Sequence, residues 1–311
     1  MLRCLRTNET GQLQPADLTQ KGCWICLTNP TEDELQQVQA ATGVFPDFLR
    51  APLDDEELPR AEMDEGQTLI IFNIPVVENT DGDITYRVLP LGIIVVNDRL
   101  ITVCLAAHPV LEDLTAGRAK GLHTNKRTRF VFQLLLKIAT LYLRYLDQID
   151  HKRNEIEELL MASTRNEEII RLLNLSKSLT YFTTSLRSNG IVLEKLLKTK
   201  MLPMYSDDED LLEDAITENK QAMEVAAIHS SILAGTLDAF ASIISNNLNR
   251  VMRFLTSVTI VLAIPTIVAS VFGMNVALPW QNHPMAFTYT LLVSAGLSAL
   301  AIAYLARNRM F

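Results

Sequence analysis

The chain has 311 residues, 48% of them hydrophobic and 21% charged, with a formal net charge of −8. That length suits one large domain with an appendage, or two domains. The acidic balance excludes a nucleic-acid surface, whose affinity rests on many lysine and arginine contacts to phosphate.

The charges are segregated. Residues 1–125 carry 19 Asp and Glu against 9 Lys and Arg, a balance of −10. After Asp238 there is no acidic residue, and the only Lys or Arg residues are Arg250, Arg253, Arg307 and Arg309. This pattern fits an acidic soluble part joined to a lipid-embedded part. No GxSxG, P-loop or paired Cys/His cluster is present, and the five histidines (His108, His123, His151, His229 and His283) show no HxxxH spacing, so an enzyme is not expected.

Residues 1–125 read as a cytosolic α/β domain. The runs "CWICL", "TLIIFNIPVVE", "ITYRVLPLGIIVVN" and "RLITVCLA" are rich in β-branched residues and punctuated by "ENTDGD" and "VND". "TEDELQQVQAAT" reads as a helix capped by Thr31, with Glu34 completing a capping box. Cys23 and Cys26 form a CxxC, but in an alternating, strand-like context without a second pair, so buried strand cysteines are the expected reading. The start "MLRCLRTNETGQ" is too polar for a signal peptide, which leaves the first 250 residues expected in the cytosol.

From residue 126 to 205 the pattern becomes helical. Residues 128–200 contain no proline and one glycine, and apolar residues recur every three or four, as in a hairpin bent near "MASTRN". Pro203 stops that segment. Ser206 is placed to cap the next helix, with Asp207, Asp208, Glu209 and Asp210 in its first turn complementing the helix dipole. No proline intervenes before Pro265, so a stalk helix is expected over 206–273, running on into a membrane span. A helix of about 100 Å needs partners along its length, which points to an oligomer.

Phe254–Phe272 and Ala286–Ala306 are uncharged stretches of 19 and 21 residues, each close to the roughly 20 residues that cross a bilayer core. Arginines flank them on the sides away from the connecting loop, 274–285. The positive-inside rule therefore places both termini in the cytoplasm and the loop outside. On the first span Asn249, Met252, Thr256, Thr259, Ala263, Thr266 and Ser270 step by three or four and fall within a band about 100° wide. Such hydroxyls can bond the carbonyl one turn back or pack against a neighbouring helix; four in line with Asn249 also suit a wetted face. Two spans cannot enclose a water-filled path, so a wetted face again requires several subunits.

Gly273-Met274-Asn275, at the outer end of the first of two C-terminal spans, resembles the signature of the CorA family of magnesium and cobalt transporters. The run "LDAFASIISNNLNRVMRFLTSVTIVLAIPTIVASVFGMN" resembles that family's stalk-to-pore helix throughout. The resemblance implies a funnel-shaped homopentameric channel in the plasma membrane that moves Mg²⁺, and also Co²⁺ or Ni²⁺, with no nucleic-acid partner. It implies a pore lined by Asn249, Met252, Leu255, Thr256, Thr259, Ala263, Thr266 and Ser270. Met252 and Leu255 would form the gate, and Gly273, Met274 and Asn275 the external selectivity ring. It further implies a regulatory Mg²⁺ site using Asp214; the family's partner position falls on Ala51, which cannot bind a cation, leaving Asp54 or Asp55 as substitutes. Other departures are Phe272 in place of a usual Tyr, Ser270 in place of a common Gly, Ala263 in place of a frequent Met, and an outer loop without acidic residues. Two alternatives remain open at the level of sequence: zinc transport, as in close relatives, and a membrane-anchored metal sensor that does not transport.

Overall fold

The β-branched runs form the centre of a seven-stranded sheet. In the computed structural model, which describes residues 1–9, 11–80, 83–118, 121–162, 166–275 and 284–308, the strands are β1 (Leu2–Thr7), β2 (Leu13–Pro15), β3 (Trp24–Thr28), β4 (Arg60–Asp64), β5 (Gln67–Thr80), β6 (Asp83–Val96) and β7 (Arg99–Cys104). Their spatial order is β2-β1-β3-β7-β6-β5-β4. Among the described residues only the β3–β7 pair is parallel. The strands not expected from the sequence, β1, β2 and β4, are short and polar and lie toward the edges, where one face or one side meets water.

One face of the sheet buries Ile25, Leu27, Ile71, Ile94, Ile101 and Val103 against Leu35 and Val38 of α1 (Glu32–Thr42) and Phe48 and Leu49 of α2 (Pro46–Arg50). The capping box of α1 is formed: Glu34 N–H donates to Thr31 Oγ1, and Thr31 N–H donates to Glu34 Oε2. A 3-10 turn at Ala51–Leu53 then crosses β6 so closely that a Cβ on Gly92 would stand 2.1 Å from Pro52 Cγ. Only glycine lets the turn lie there.

A short helix, α3 (Pro109–Thr115), follows β7, and the other face is covered by two long helices, α4 (Arg127–Ala162) and α5 (Asn166–Thr199). Trp24 packs on Phe130 of α4 with ring centroids 4.9 Å apart, and Tyr86 meets Phe182 of α5 edge-on at 5.9 Å. Residues 1–125 and 126–205 therefore do not separate into two bodies; Met1–Gly235 is one compact unit, because the sheet needs the helical pair to cover its apolar face. The second unit is Thr236–Phe311. Helix α6 (Ser206–Phe272) contributes to both, and α7 (Ala286–Arg307) belongs to the second.

A polar joint is buried between α5 and the sheet. Asn73 lies on β5 two residues beyond Ile71, where pairing with β4 ends, so its N–H and C=O meet no β4 partner. Asn189 of α5, fully buried, takes over: its Oδ1 accepts from Asn73 N–H at 2.9 Å and its Nδ2 donates to Asn73 O at 2.8 Å. Tyr142 of α4 donates its hydroxyl to the same carbonyl at 3.0 Å. Nearby His108, 1% exposed, shares a hydrogen bond with Pro75 O through Nε2 at 3.1 Å, and burial lowers its pKa from 6.5 to about 4.

Two outcomes are expected. Asn189→Ala leaves the Asn73 amide without its buried partner and should lower stability by about 1–3 kcal/mol in thermal or denaturant unfolding of the full-length protein. His108 binds a proton more readily when unfolded, so the stability contributed by its neutral form is complete above the unfolded pKa and is lost as pH falls toward 4. Between pH 7 and pH 5 this amounts to about 2 kcal/mol, which His108→Gln should remove from the pH profile.

Candidate functional site

Helix α6 is continuous over 67 residues, with Pro265 inside it. Its start differs from the sequence expectation. Ser206 is the first helical residue rather than a side-chain cap, and the capping contact is made by Asp208, whose Oδ2 accepts from Tyr205 N–H at 3.2 Å. Asp207 lies 3.8 Å from Arg129, and Glu209 lies 3.9 Å from Lys200. The first acidic residues of "DDEDLLED" are therefore occupied by capping and ion pairs. Asp210, Glu213 and Asp214 are exposed.

Among the described residues two helices, α6 and α7, are long and apolar enough to cross a membrane, and their apolar stretches are almost wholly unburied. Each has one row that is covered. On α6 the row is Ser257, Val261, Ile264 and Val268, and on α7 it is Thr290, Ser294, Ser298, Ala301 and Leu305, both spaced by threes and fours. These are the two helices of the second unit, and rows of small and branched residues suit close helix packing.

The row singled out from the sequence is a different one. Asn249, Met252, Thr256, Thr259, Ala263, Thr266 and Ser270 are all exposed, as is Leu255 beside them. At 100° per residue the centre of this stripe lies about 145° from the centre of the covered row. The stripe thus points away from the covered side of α6, and among the described residues nothing in the single chain covers it.

The hydroxyls on the stripe have a definite polarity. Thr256 Oγ1 donates to Met252 O at 2.8 Å, Thr259 Oγ1 to Leu255 O at 2.8 Å, and Thr266 Oγ1 to Leu262 O at 3.1 Å. Back-bonding and a wetted face, weighed as alternatives from the sequence, therefore coexist. Each threonine spends its proton on the helix and turns only oxygen lone pairs outward. These three threonines offer acceptors without donors, which suits cations and the outward-pointing protons of their hydration water.

At its C-terminal end α6 stops at Phe272. Gly273 N–H still donates to Ala269 O at 2.9 Å, and Met274 N–H reaches Val271 O at 3.4 Å. Gly273 does not adopt a left-handed conformation. Its value lies in space, since a Cβ would come within 3.1 Å of the Ala269 carbonyl oxygen. Met274 and Asn275 follow, both exposed. The connecting residues 276–283, including His283, and the flanking Arg309 lie outside the described residues.

The remaining candidates are scattered within one chain. Asp54 and Asp55 are exposed beyond the 3-10 turn, with Asp54 Oδ1 accepting from Glu56 N–H at 3.1 Å. Ala51 is half-buried against the sheet core. Among the described residues no group of three or more His, Cys, Asp or Glu side chains could hold a metal. The CxxC divides across the sheet, Cys23 falling in the core cluster with Ile25 and Cys26 pointing the other way beside Thr102. All four cysteines are free. Cys23 instead meets Cys4 of β1 in a thiol–thiol hydrogen bond that lowers the Cys23 pKa to about 7, a contact that depends on β1–β3 pairing and has no local sequence signal.

A family model described as CorA-like Mg²⁺ transporter protein matches residues 19–307. The cobalt/magnesium transport protein CorA of Methanocaldococcus jannaschii is 32% identical over 275 residues, covering 85% of this chain and 83% of that protein. The cobalt/magnesium transport protein CorA of Thermotoga maritima is 21% identical over 315 residues, covering 99% and 88%. The complete structure of the CorA magnesium transporter from M. jannaschii aligns with a TM-score of 0.85 at 25% identity, over 99% of this chain and 98% of that one. A match that takes in the sheet domain, the unbroken α6, its Gly273-Met274-Asn275 terminus and α7 together leaves no separate piece to assign elsewhere: the chain belongs to the CorA family.

Proposed function

We propose that several copies of this chain, five by analogy with the family, assemble in the plasma membrane around the stripe of α6 and conduct divalent cations inward. Mg²⁺ is the foremost substrate, with Co²⁺ and Ni²⁺ as companions. The observation that carries this reading is the exposed row on α6, opposite its covered side, whose threonines offer only acceptors. A helix that merely anchors a domain has no use for it. The names of the relatives, cobalt/magnesium transport proteins, support the choice of metals.

The chemistry follows from what the lining lacks. With no carboxylate after Asp238, an ion can be selected only by pore size and neutral oxygens. Mg²⁺ gives up its water reluctantly, so a ring of Asn275 amide oxygens would bind the hydrated ion through its outer waters. Carbonyls at the C-terminal end of α6 add partial negative charge at the same mouth. The back-bonded Thr266, Thr259 and Thr256 would then accept hydrogen bonds from those waters on the way inward, and having no free proton they offer nothing to an anion. Met252 and Leu255, 53% and 57% exposed in the single chain, are large enough for their copies to close a dry gate above Asn249. With both termini cytoplasmic, inward flow of a divalent ion is driven by about 4.6 kcal/mol per 100 mV, twice the single-charge value.

Regulation would use the carboxylates that capping and ion pairs leave over. Asp210, Glu213 and Asp214 are exposed on α6, and Asp54 and Asp55 on the loop after α2. Since they do not gather within one chain, a bound Mg²⁺ would bridge Asp214 of one copy to Asp54 or Asp55 of the next, relieving repulsion and favouring the closed form.

Two measurements test these readings. Purified protein in liposomes should take up Mg²⁺, with Co²⁺ and Ni²⁺ competing more strongly than Zn²⁺, and Asn275→Ala should reduce uptake at least tenfold while the assembled size is kept. Metal binding with no flux would favour a sensor, and wild-type flux in an assembled Asn275→Ala protein would remove the ring. For regulation, millimolar Mg²⁺ should protect α6 from protease in the wild type, and Asp214→Lys should make that protection independent of Mg²⁺. A wild type digested equally with and without Mg²⁺ has no such site.

A further inference from the structure

A cavity of about 760 Å³ lies in the first unit, between the β4–β5 hairpin, the β6–β7 turn, the start of α4 and the segment leading into α6. Its volume falls in the range of about 300–1,000 Å³ usual for small-molecule sites. The transport reading makes no use of it.

The lining has two chemically distinct parts. One wall is apolar, formed by Met63, Val95 and Leu202. Beside it stands Tyr205, 82% exposed, with a ring face free to stack. The rest of the mouth is cationic, with Lys126, Arg127 and Arg129 within four residues of each other. Arg127 is bound to Asn97 O and lies 3.5 Å from Asp98. Arg129 has a loose pair with Asp207 at 3.8 Å. Lys126 is exposed, and no side-chain partner is found for it among the described residues. Two carboxylates also line the cavity, but Asp208 is 5% exposed and turned to the Tyr205 amide, and Asp207 faces Arg129. The walls are held together by Thr128, whose Oγ1 donates to Pro203 O at 2.7 Å.

An aromatic ring and an apolar wall on one side, with cations on the other, match a ligand that has a flat ring at one end and phosphates at the other. We propose that this cavity binds a nucleoside triphosphate, its base against Tyr205 and its phosphates at Lys126 and Arg129. Metal chelated by the phosphate chain would make the nearby Asp207 compatible with the anion. The proposal stands apart from ion conduction and is tested without it.

The test is calorimetric titration of the purified full-length chain with ATP, tripolyphosphate and adenosine, Mg²⁺ in excess. ATP should bind about tenfold or more tighter than either fragment. Lys126→Glu should weaken ATP and tripolyphosphate alike, by about 10- to 100-fold, and Tyr205→Ala should weaken ATP by about fivefold or more and leave tripolyphosphate unchanged. Both residues are exposed, so both variants should unfold at the wild-type temperature. Absence of saturable ATP binding, or ATP binding indifferent to Lys126→Glu, overturns the site. Tripolyphosphate binding as tight as ATP overturns the nucleoside and leaves a free polyphosphate as the occupant.

Discussion

A long helix that carries an uncharged end and a polar stripe cannot satisfy both within its own chain. From residue 239 onward α6 has no carboxylate, and its apolar faces are bare apart from one covered row. Lipid can cover valine and leucine, but it gives nothing to Asn249 or to the outward lone pairs of Thr256, Thr259 and Thr266. Both demands are met if copies of the stripe face one another across water while α7 and lipid take the remaining surface. The transport reading, the need for several subunits and the placing of α7 on the outside all descend from that single conflict.

The soluble unit answers a different constraint. Its sheet presents apolar side chains on two faces, so α1 and α2 must cover one and the α4–α5 pair the other. The joint is specified rather than merely greasy. β4 stops short of Asn73, and Asn189 and Tyr142 occupy the groups this leaves. A sheet that buries such a polar triad resists sliding of α5, because a one-turn shift would strand at least one buried amide.

Much of this was legible in the sequence because it is periodic. The central strands, the Thr31–Glu34 capping box, the unbroken α6 and the stripe each come from local spacing that tertiary context does not override. The parts that were not legible depend on distant partners. β1 and β4 are short and polar, and count as strands only because β3 and β5 lie beside them. Asp208 caps α6 where Ser206 was the local choice, since Tyr205 is held where its amide faces that carboxylate. The direction of the threonine protons, the Cys4–Cys23 contact and the cavity beside Lys126 likewise have no one-dimensional signature. The stripe, the selectivity ring and the Asp214 site remain proposals at the level of the assembly, because a single chain does not bring copies of Asn275 or Asp214 together.

The central claim is that the stripe of α6, and not the covered row, faces a shared aqueous axis. It is tested most directly by single cysteines introduced into a variant lacking the four native ones, at Thr259 and Thr266 on the stripe and at Ile264 and Val268 on the covered row. Oxidative crosslinking and modification by a cationic thiol reagent are then followed in membranes. Facing the axis, Thr259→Cys and Thr266→Cys should link copies to one another and lose ion flux on modification, while Ile264→Cys and Val268→Cys do neither. The reverse pattern, with the covered row crosslinked and blocked and the stripe inert, would contradict it.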